Sequence, residues 1–489
     1  MSGAARWMTR AEPSESCLSV TRALCNACGA AVDAKIVARE GRVLLSKWCA
    51  QHGKTEALVS SDVDWYRRSL AYVKPATEPR LRRSGTHTAC PSECGLCVVH
   101  EQHTCVPILE ITGRCDLNCP VCLVDRDAQP QISLAEAQRM LDGLIACEGN
   151  VNMLTLSGGE PTAHPDFLAI VDVARRPEIG IVSVSTNGVR LAHDDALLEA
   201  LCERDVVISL QLDGFLPATY TKLRGRADLG DLKRRLIDRV GELGGRLSLT
   251  MTLARGVNEH ELQSVLDELL NNDRVVSMMI QPVAYTPAAS KRFAGDPLDA
   301  ITIPEVVERV AAASRGQIEP ADITPLPCSH PACFALTYLL RLEDGRVLPL
   351  PRIIEQDCYL DIIKNQALMG TDTDTLVRVK DSLYTLWSSS GMVPNRDAVM
   401  RTVKSLLVDL NALGRKASHR DVLDLGVKHI KSIFIHHFMD RATFDFSRAV
   451  KCCNHYPQTD GRLLPACIRN NLAEGLGVGR ATAAPKKVS

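Results

Sequence analysis

Six short apolar runs alternate with helix-period segments between Val106 and Gln281, and this alternation constrains the fold more than any other feature. The runs are Val106–Ile111, Met153–Ser157, Ile181–Ser185, Val206–Leu212, Leu247–Leu253 and Val276–Ile280. They read as parallel strands buried on both faces. Between them, Ser133–Cys147, Asp194–Glu203, Leu229–Leu243 and Asn258–Leu270 carry apolar residues at helical spacing, and Ser133 with Glu136 has the signature of a capping box. Repeated β/α units predict an α/β chain whose parallel sheet is either curved into a partial barrel or open and doubly wound. Both arrangements bind ligands at the carboxyl ends of their strands.

Charge and hydropathy exclude several classes. With 57 Lys+Arg against 58 Asp+Glu, the chain lacks the basic surplus that bulk nucleic-acid binding needs. No run of 18 apolar residues is present, so no transmembrane segment is expected, although peripheral membrane contact stays compatible with the sequence. Met1–Val20 has no apolar signal-peptide core, and a cytoplasmic location is expected. In a reducing compartment, 19 cysteines point to metal rather than to disulfides.

Sixteen of those cysteines fall into five groups: Cys25, Cys28 and Cys49; Cys90, Cys94, Cys97 and Cys105; Cys115, Cys119 and Cys122; Cys328, Cys333 and Cys358; and Cys452, Cys453 and Cys467. Cys17, Cys147 and Cys202 stand alone. In the first group, Cys25-x2-Cys28 and Cys49-x2-His52 flank two strand-like runs around Gly41. This is the donor set of a small knuckle stapled by zinc or a single iron. In the third group, Cys115-x3-Cys119-x2-Cys122 follows the first strand. Three thiolates can hold three irons of a [4Fe–4S] cube and leave the fourth open for chemistry. One β/α unit later, Gly158-Gly159-Glu160-Pro161 ends the second strand, where the glycines permit close approach of a ligand and Glu160 can accept from a cation.

The pairing of Cys-x3-Cys-x2-Cys with Gly-Gly-Glu resembles the radical S-adenosylmethionine (SAM) superfamily. The resemblance implies that Cys115, Cys119 and Cys122 carry a cluster whose open iron chelates SAM, and that reductive cleavage yields a 5′-deoxyadenosyl radical. It also implies a partial (β/α)6 TIM-like barrel, contact of Gly158 to Pro161 with the methionyl group, and further SAM contacts at Ser185, Asn187, Gln211 and Asp213, with Thr252 and Gln281 near them. A reduced ferredoxin- or flavodoxin-type donor would supply the electron.

The flanking cysteines resemble the tetraether lipid synthase-like branch, which also holds proteins assigned as dihydropterin methyltransferases. That likeness implies a rubredoxin- or zinc-ribbon-like knuckle at 17–60, with zinc or mononuclear iron, and an auxiliary Fe–S segment at 86–106. The barrel would then occupy 107–290, a mixed, mainly helical cluster-bearing and substrate-covering region 291–472, and a disordered tail 473–489. Two auxiliary [4Fe–4S] clusters are expected. Cys90, Cys94, Cys97 and Cys105 would close one, while Cys328, Cys333, Cys452 and Cys467 would supply the other. Adjacent Cys452 and Cys453 point in different directions, so one of them is expected to ligate. A four-thiolate iron in the knuckle would need Cys17 or another donor in place of His52. His100, His103, His330 and His455 are expected to hydrogen-bond around the clusters rather than ligate.

The reading from these features is a radical SAM enzyme forming a C–C bond at unactivated carbon, coupling lipid chains, with Ile430–Phe438 and Val403–Leu413 as amphipathic helical faces. The alternatives are a methyltransferase acting on a pterin-like or other small molecule and a non-catalytic Fe–S electron carrier. Aromatic content of 4% offers few stacking partners for a pterin.

Overall fold

The computed structural model describes residues 15–82, 94–123, 131–365, 396–413 and 428–472, with a few single positions between 381 and 426. Cys90, residues 366–380 and the tail 473–489 lie outside the described residues.

The N-terminal segment forms an antiparallel meander of β1 (Glu15–Leu24), β2 (Ala31–Arg39), β3 (Arg42–Cys49) and β4 (Gly53–Ser60). The β2–β3 turn places both Glu40 and Gly41 at positive φ, the backbone that a two-residue hairpin needs. Ala23, Ile36, Val43, Leu45 and Val59 give this sheet its small core. It is docked on the C-terminal region: the buried Lys47 Nζ donates to Arg441 O and Ala442 O at 2.8 and 2.7 Å, and Thr21 Oγ1 donates to Asp445 at 2.6 Å.

All six apolar runs form strands: β5 (Val106–Thr112), β6 (Val151–Gly158), β7 (Ile179–Thr186), β8 (Val207–Gln211), β9 (Arg246–Leu253) and β10 (Val275–Pro282). They pair in parallel and in chain order. The intervening helices cover the outside. The first, Leu134–Glu148, has the full capping box, with Ser133 Oγ accepting from Glu136 N and Glu136 reaching back to Ser133 N. Outward strand residues such as Leu154, Val184, Leu210 and Leu249 pack against these helices and are fully buried.

The C-terminal region is mixed, and it adds β11 (Thr324–Pro325), β12 (Phe334–Arg341), β13 (Val347–Pro349), β14 (Ile430–His436), β15 (Asn454–Pro457) and β16 (Leu463–Pro465). Strand β14 pairs in parallel with β10, and β15 in parallel with β5, so both edges of the six-stranded sheet are extended by C-terminal chain. Asn454 Nδ2 lies 3.3 Å from His436 Nδ1, bringing the two added strands together across the opening.

One helical expectation fails here. Ile430–Phe438 is a strand followed by an extended end, buried along almost its whole length. A short, continuous apolar run has no period that separates a buried helix from a two-sided buried strand, and its isoleucines and phenylalanines favour the strand. The other segment is helical within Arg396–Leu413, but Val399, Val403, Leu406 and Leu407 are buried in the core around β12. It is a packing face rather than an open groove.

Candidate active site and metal centres

The chemistry-bearing loops gather at the carboxyl ends of the parallel strands. Cys115, Cys119 and Cys122 follow β5, and Cys115 and Cys119 pack with Leu117, Tyr220 and Leu229. Burial pushes the Cys115 thiol up to about 11, and a cation bound beside it would favour the thiolate. The Arg224 guanidinium is buried, reaches toward Cys119, and is paired with the fully buried Asp213 at 2.7 and 2.9 Å. Asp213 in turn accepts from Thr252 N at 2.9 Å and from the Gln211 side chain.

The glycines of the second strand end are required by the chain's own packing. Gly158 has φ +142°, and a Cβ there would sit far inside van der Waals distance of Thr112 O. A Cβ on Gly159 would strike the carbonyls of Gly113 and Arg114. What approaches closely is the chain's own cluster loop, pinned by Gly159 N to Thr112 O and Glu160 N to Arg114 O, each 2.7 Å. Gly159→Ala should therefore displace the cysteine loop, and we expect a large loss of cluster iron relative to wild type, read by iron and sulfide analysis.

Glu160 is buried and holds the neighbouring strand ends together. Its Oε1 accepts from Thr162 N, Thr162 Oγ1 and Thr186 Oγ1 at 3.2, 2.7 and 2.8 Å, while among the described residues Oε2 accepts from Asn187 N alone, at 2.8 Å. A carboxylate oxygen offers about two lone-pair sites, so Oε2 keeps room for one further donor. Burial raises the affinity of Glu160 for its proton, opposed by these hydrogen bonds. A ligand ammonium would favour the charged form. Asn187 Nδ2 also donates to Asp116 at 2.6 Å beside Cys115. Pro161 opens the short turn Pro161–Ala163. The donor set thus suits a cube with one open iron beside a site for an ammonium.

Two groups escaped the sequence reading. Lys233 is fully buried, its Nζ bonded to Gln211 O and Gln211 Oε1 and 4.8 Å from the Tyr220 ring centre. Burial lowers it to about 7, against the pull of Asp213. A lysine on the apolar phase of Leu229, Leu232, Leu236 and Val240 was the available signal. Arg224 gave none, since only folding brings it to Cys119.

Inside the barrel lies a cavity of about 260 Å³. Its walls are small hydroxyl side chains on alternate strand positions, among them Ser157, Ser183, Ser185, Ser209, Thr250 and Ser277. Gln281 also lines it. Some hydroxyls pair with neighbours across strands, as Ser277 Oγ does with Ser248 Oγ at 2.7 Å. The far side is closed by C-terminal rings: Phe334, Phe434, His436, Phe438 and Tyr456. The low overall aromatic content was misleading, because three of the chain's eight phenylalanines converge here.

In the N-terminal knuckle, the ligand atoms of Cys25, Cys28, Cys49 and His52 lie within 4.8 Å of one another. His52 Nδ1 is 3.5 Å from both Cys25 Sγ and Cys49 Sγ. Cys17 is exposed on β1 and is not among these four residues. Three thiolates and an imidazole at this spacing suit tetrahedral zinc. His52→Ala is expected to lower bound zinc, measured by elemental analysis, and to loosen the sheet, measured by proteolysis of residues 15–60.

The fold also brings together cysteines that are distant in the chain. Cys105 lies within hydrogen-bonding reach of Cys328 and Cys453. Cys452 instead faces Cys467 and Cys333. Cys358 is half-buried at the edge of the first set. The histidines behave as bonding partners. His100 Nε2 is 2.9 Å from Cys452 O and 3.1 Å from His455 Nε2, His103 Nε2 is 3.7 Å from Cys105 Sγ, and His330 Nδ1 accepts from Ala332 N.

Residues 109–269 match the family described as the radical SAM superfamily, and residues 17–61 match the HMPTM N-terminal zinc ribbon domain. A 7,8-dihydro-6-hydroxymethylpterin dimethyltransferase of Methanocaldococcus jannaschii is 27% identical over 482 residues, spanning 92% of this chain and 93% of that protein. A probable GTP 3′,8-cyclase of Methanothermobacter thermautotrophicus is 29% identical over 289 residues, 55% of this chain and 90% of that one. Among solved structures, Streptococcus suis SuiB bound to its precursor peptide SuiA aligns with a TM-score of 0.37 and 15% identity, over 43% of this chain and 45% of that one.

Proposed function

This chain is a radical SAM enzyme, and from that premise we propose that it methylates a ring carbon of a reduced pterin-like heterocycle rather than coupling lipid chains. The observation that carries the reading is the barrel cavity. At about 260 Å³ it lies at the lower edge of small-molecule pockets, which run from roughly 300 to 1,000 Å³. That volume suits a bicyclic ring and not a pair of long alkyl chains. Hydroxyls on one side can hydrogen-bond the polar edge of a pterin, and the rings of Phe434, Phe438 and Tyr456 offer faces for stacking. The full-length similarity to a named pterin dimethyltransferase supports the same choice.

In this reading Cys115, Cys119 and Cys122 hold the cube. Glu160 Oε2 receives the methionyl ammonium, with Gly158, Gly159 and Pro161 shaping that strand end. Ser185, Asn187, Gln211 and Asp213 surround the cofactor. Cluster and SAM together supply one-electron sulfonium cleavage, and with it hydrogen abstraction from carbon. The buried walls keep water from the reacting carbon. Further iron–sulfur centres occupy the C-terminal cysteines, and a reduced protein donor supplies electrons.

The reading is tested by 5′-deoxyadenosine release from anaerobically reconstituted, reduced protein. Adding 6-hydroxymethyl-7,8-dihydropterin should stimulate release, and adding a long-chain ether lipid should not. Stimulation by the lipid alone would restore the coupling reading.

A further inference from the structure

We propose that the adjacent pair Cys452-Cys453 is the junction between two auxiliary iron–sulfur clusters, with Cys453 joining Cys105 and Cys328 at one cluster and Cys452 joining Cys333 and Cys467 at the other. This rests on the auxiliary centres proposed above and not on the choice of substrate.

Three chain segments meet at the first set. Cys105 N donates to Cys453 O at 2.9 Å, at the point where β15 pairs with β5, which fixes the two thiols on one side of the sheet edge. All three sulfurs belong to one packed core with Leu326 and Phe334. Donors already aim at two of them: Gln102 Nε2 lies 3.1 Å from Cys105 Sγ, and Asn365 N lies 3.0 Å from Cys328 Sγ. Amide donors pointing at sulfur favour a thiolate that carries charge.

The second set is built around a buried cation. Arg448 is 1% exposed, and its Nε donates to Cys333 Sγ at 3.2 Å while its Nη2 donates to Ala332 O and His437 O. It also faces Cys467, whose sulfur accepts from Met439 N at 3.3 Å. A buried guanidinium among neutral thiols is costly, and Asp445 is the carboxylate near it. An anionic thiolate cluster offsets the remaining charge. Cys333 lies between the sets, near Cys453 as well as Cys467, and the arginine that faces both Cys333 and Cys467 assigns it to the second.

Cys452 closes the turn after the Phe446–Ala449 helix, its N donating to Ala449 O at 3.2 Å, while Cys453 leads directly into β15, so the two adjacent thiols can serve different clusters. Only one peptide unit would then separate the two centres, and their unpaired spins would interact.

The test uses the full-length chain carrying Cys115→Ala, Cys119→Ala and Cys122→Ala, reconstituted anaerobically so that only auxiliary clusters remain. Reduced with dithionite, it should show an electron paramagnetic resonance spectrum broadened by spin–spin interaction. Cys453→Ser, Cys105→Ser and Cys328→Ser should each leave the same single narrow signal and about half of the cluster iron. Cys452→Ser, Cys333→Ser and Cys467→Ser should leave the other. Double variants within a set should lose no more iron than singles, whereas doubles across sets should lose nearly all of it, a pattern that general unfolding does not produce. Removal of one and the same signal by Cys452→Ser and Cys453→Ser would overturn the assignment. Absence of any cluster from the starting variant would overturn it together with the auxiliary centres, and would leave the methylation assay unaffected.

Discussion

Cys119→Ala is expected to reduce 5′-deoxyadenosine formation to that of a protein-free control. Three thiolates are the minimum that leaves one iron open, so losing one removes the cube or its geometry. Cys119 is also the cysteine that the buried Arg224 approaches, so the substitution removes one of that cation's partners while Asp213 remains. The check is anaerobic reconstitution, reduction and chromatography of the nucleoside, with cluster iron measured in parallel. Cys94→Ala serves as the contrast. It lies in the same buried core as Cys467, and its loss should leave measurable cleavage.

Arg224→Leu should have the largest effect on stability. Asp213 has no exposed side-chain surface and Arg224 only 9%. Removing one partner of such a pair costs about 3–5 kcal/mol, because the other charge stays buried without compensation. Asp213 also ties β8 to β9 through Thr252 N, so the damage spreads to the barrel mouth. Denaturant unfolding should show the loss, and Arg224→Leu with Asp213→Leu should recover part of it. A single variant as stable as wild type would show that the pair does not hold the barrel.

The sequence carried the parallel core well. Runs such as Ile181–Ser185 and Leu247–Leu253 lie inside the observed strands because β-branched and leucine-rich runs bounded by helices have few other solutions. The cluster loop, the Gly-Gly-Glu strand end and the knuckle were legible because their spacing is local. What stayed hidden was non-local. Cys105 meets Cys453 across 348 residues, and no spacing encodes that. Strand β14 was hidden because burial on both faces erases its period. The aromatic cap was hidden because composition averages over the chain what folding concentrates in one wall.

The claim that a pterin-like ring sits in the barrel beside the cluster is tested most directly by product mass. Reduced wild-type protein is incubated with SAM, 6-hydroxymethyl-7,8-dihydropterin and the small-molecule fraction of a cell extract, which supplies any further one-carbon donor. The same reaction is run with Ser209→Phe, which fills the cavity away from the cysteines. Methylated pterin from the wild type, and 5′-deoxyadenosine without methylated pterin from Ser209→Phe, is the predicted result. Equal methylation by both proteins, or none by a wild type that cleaves SAM freely, would contradict it.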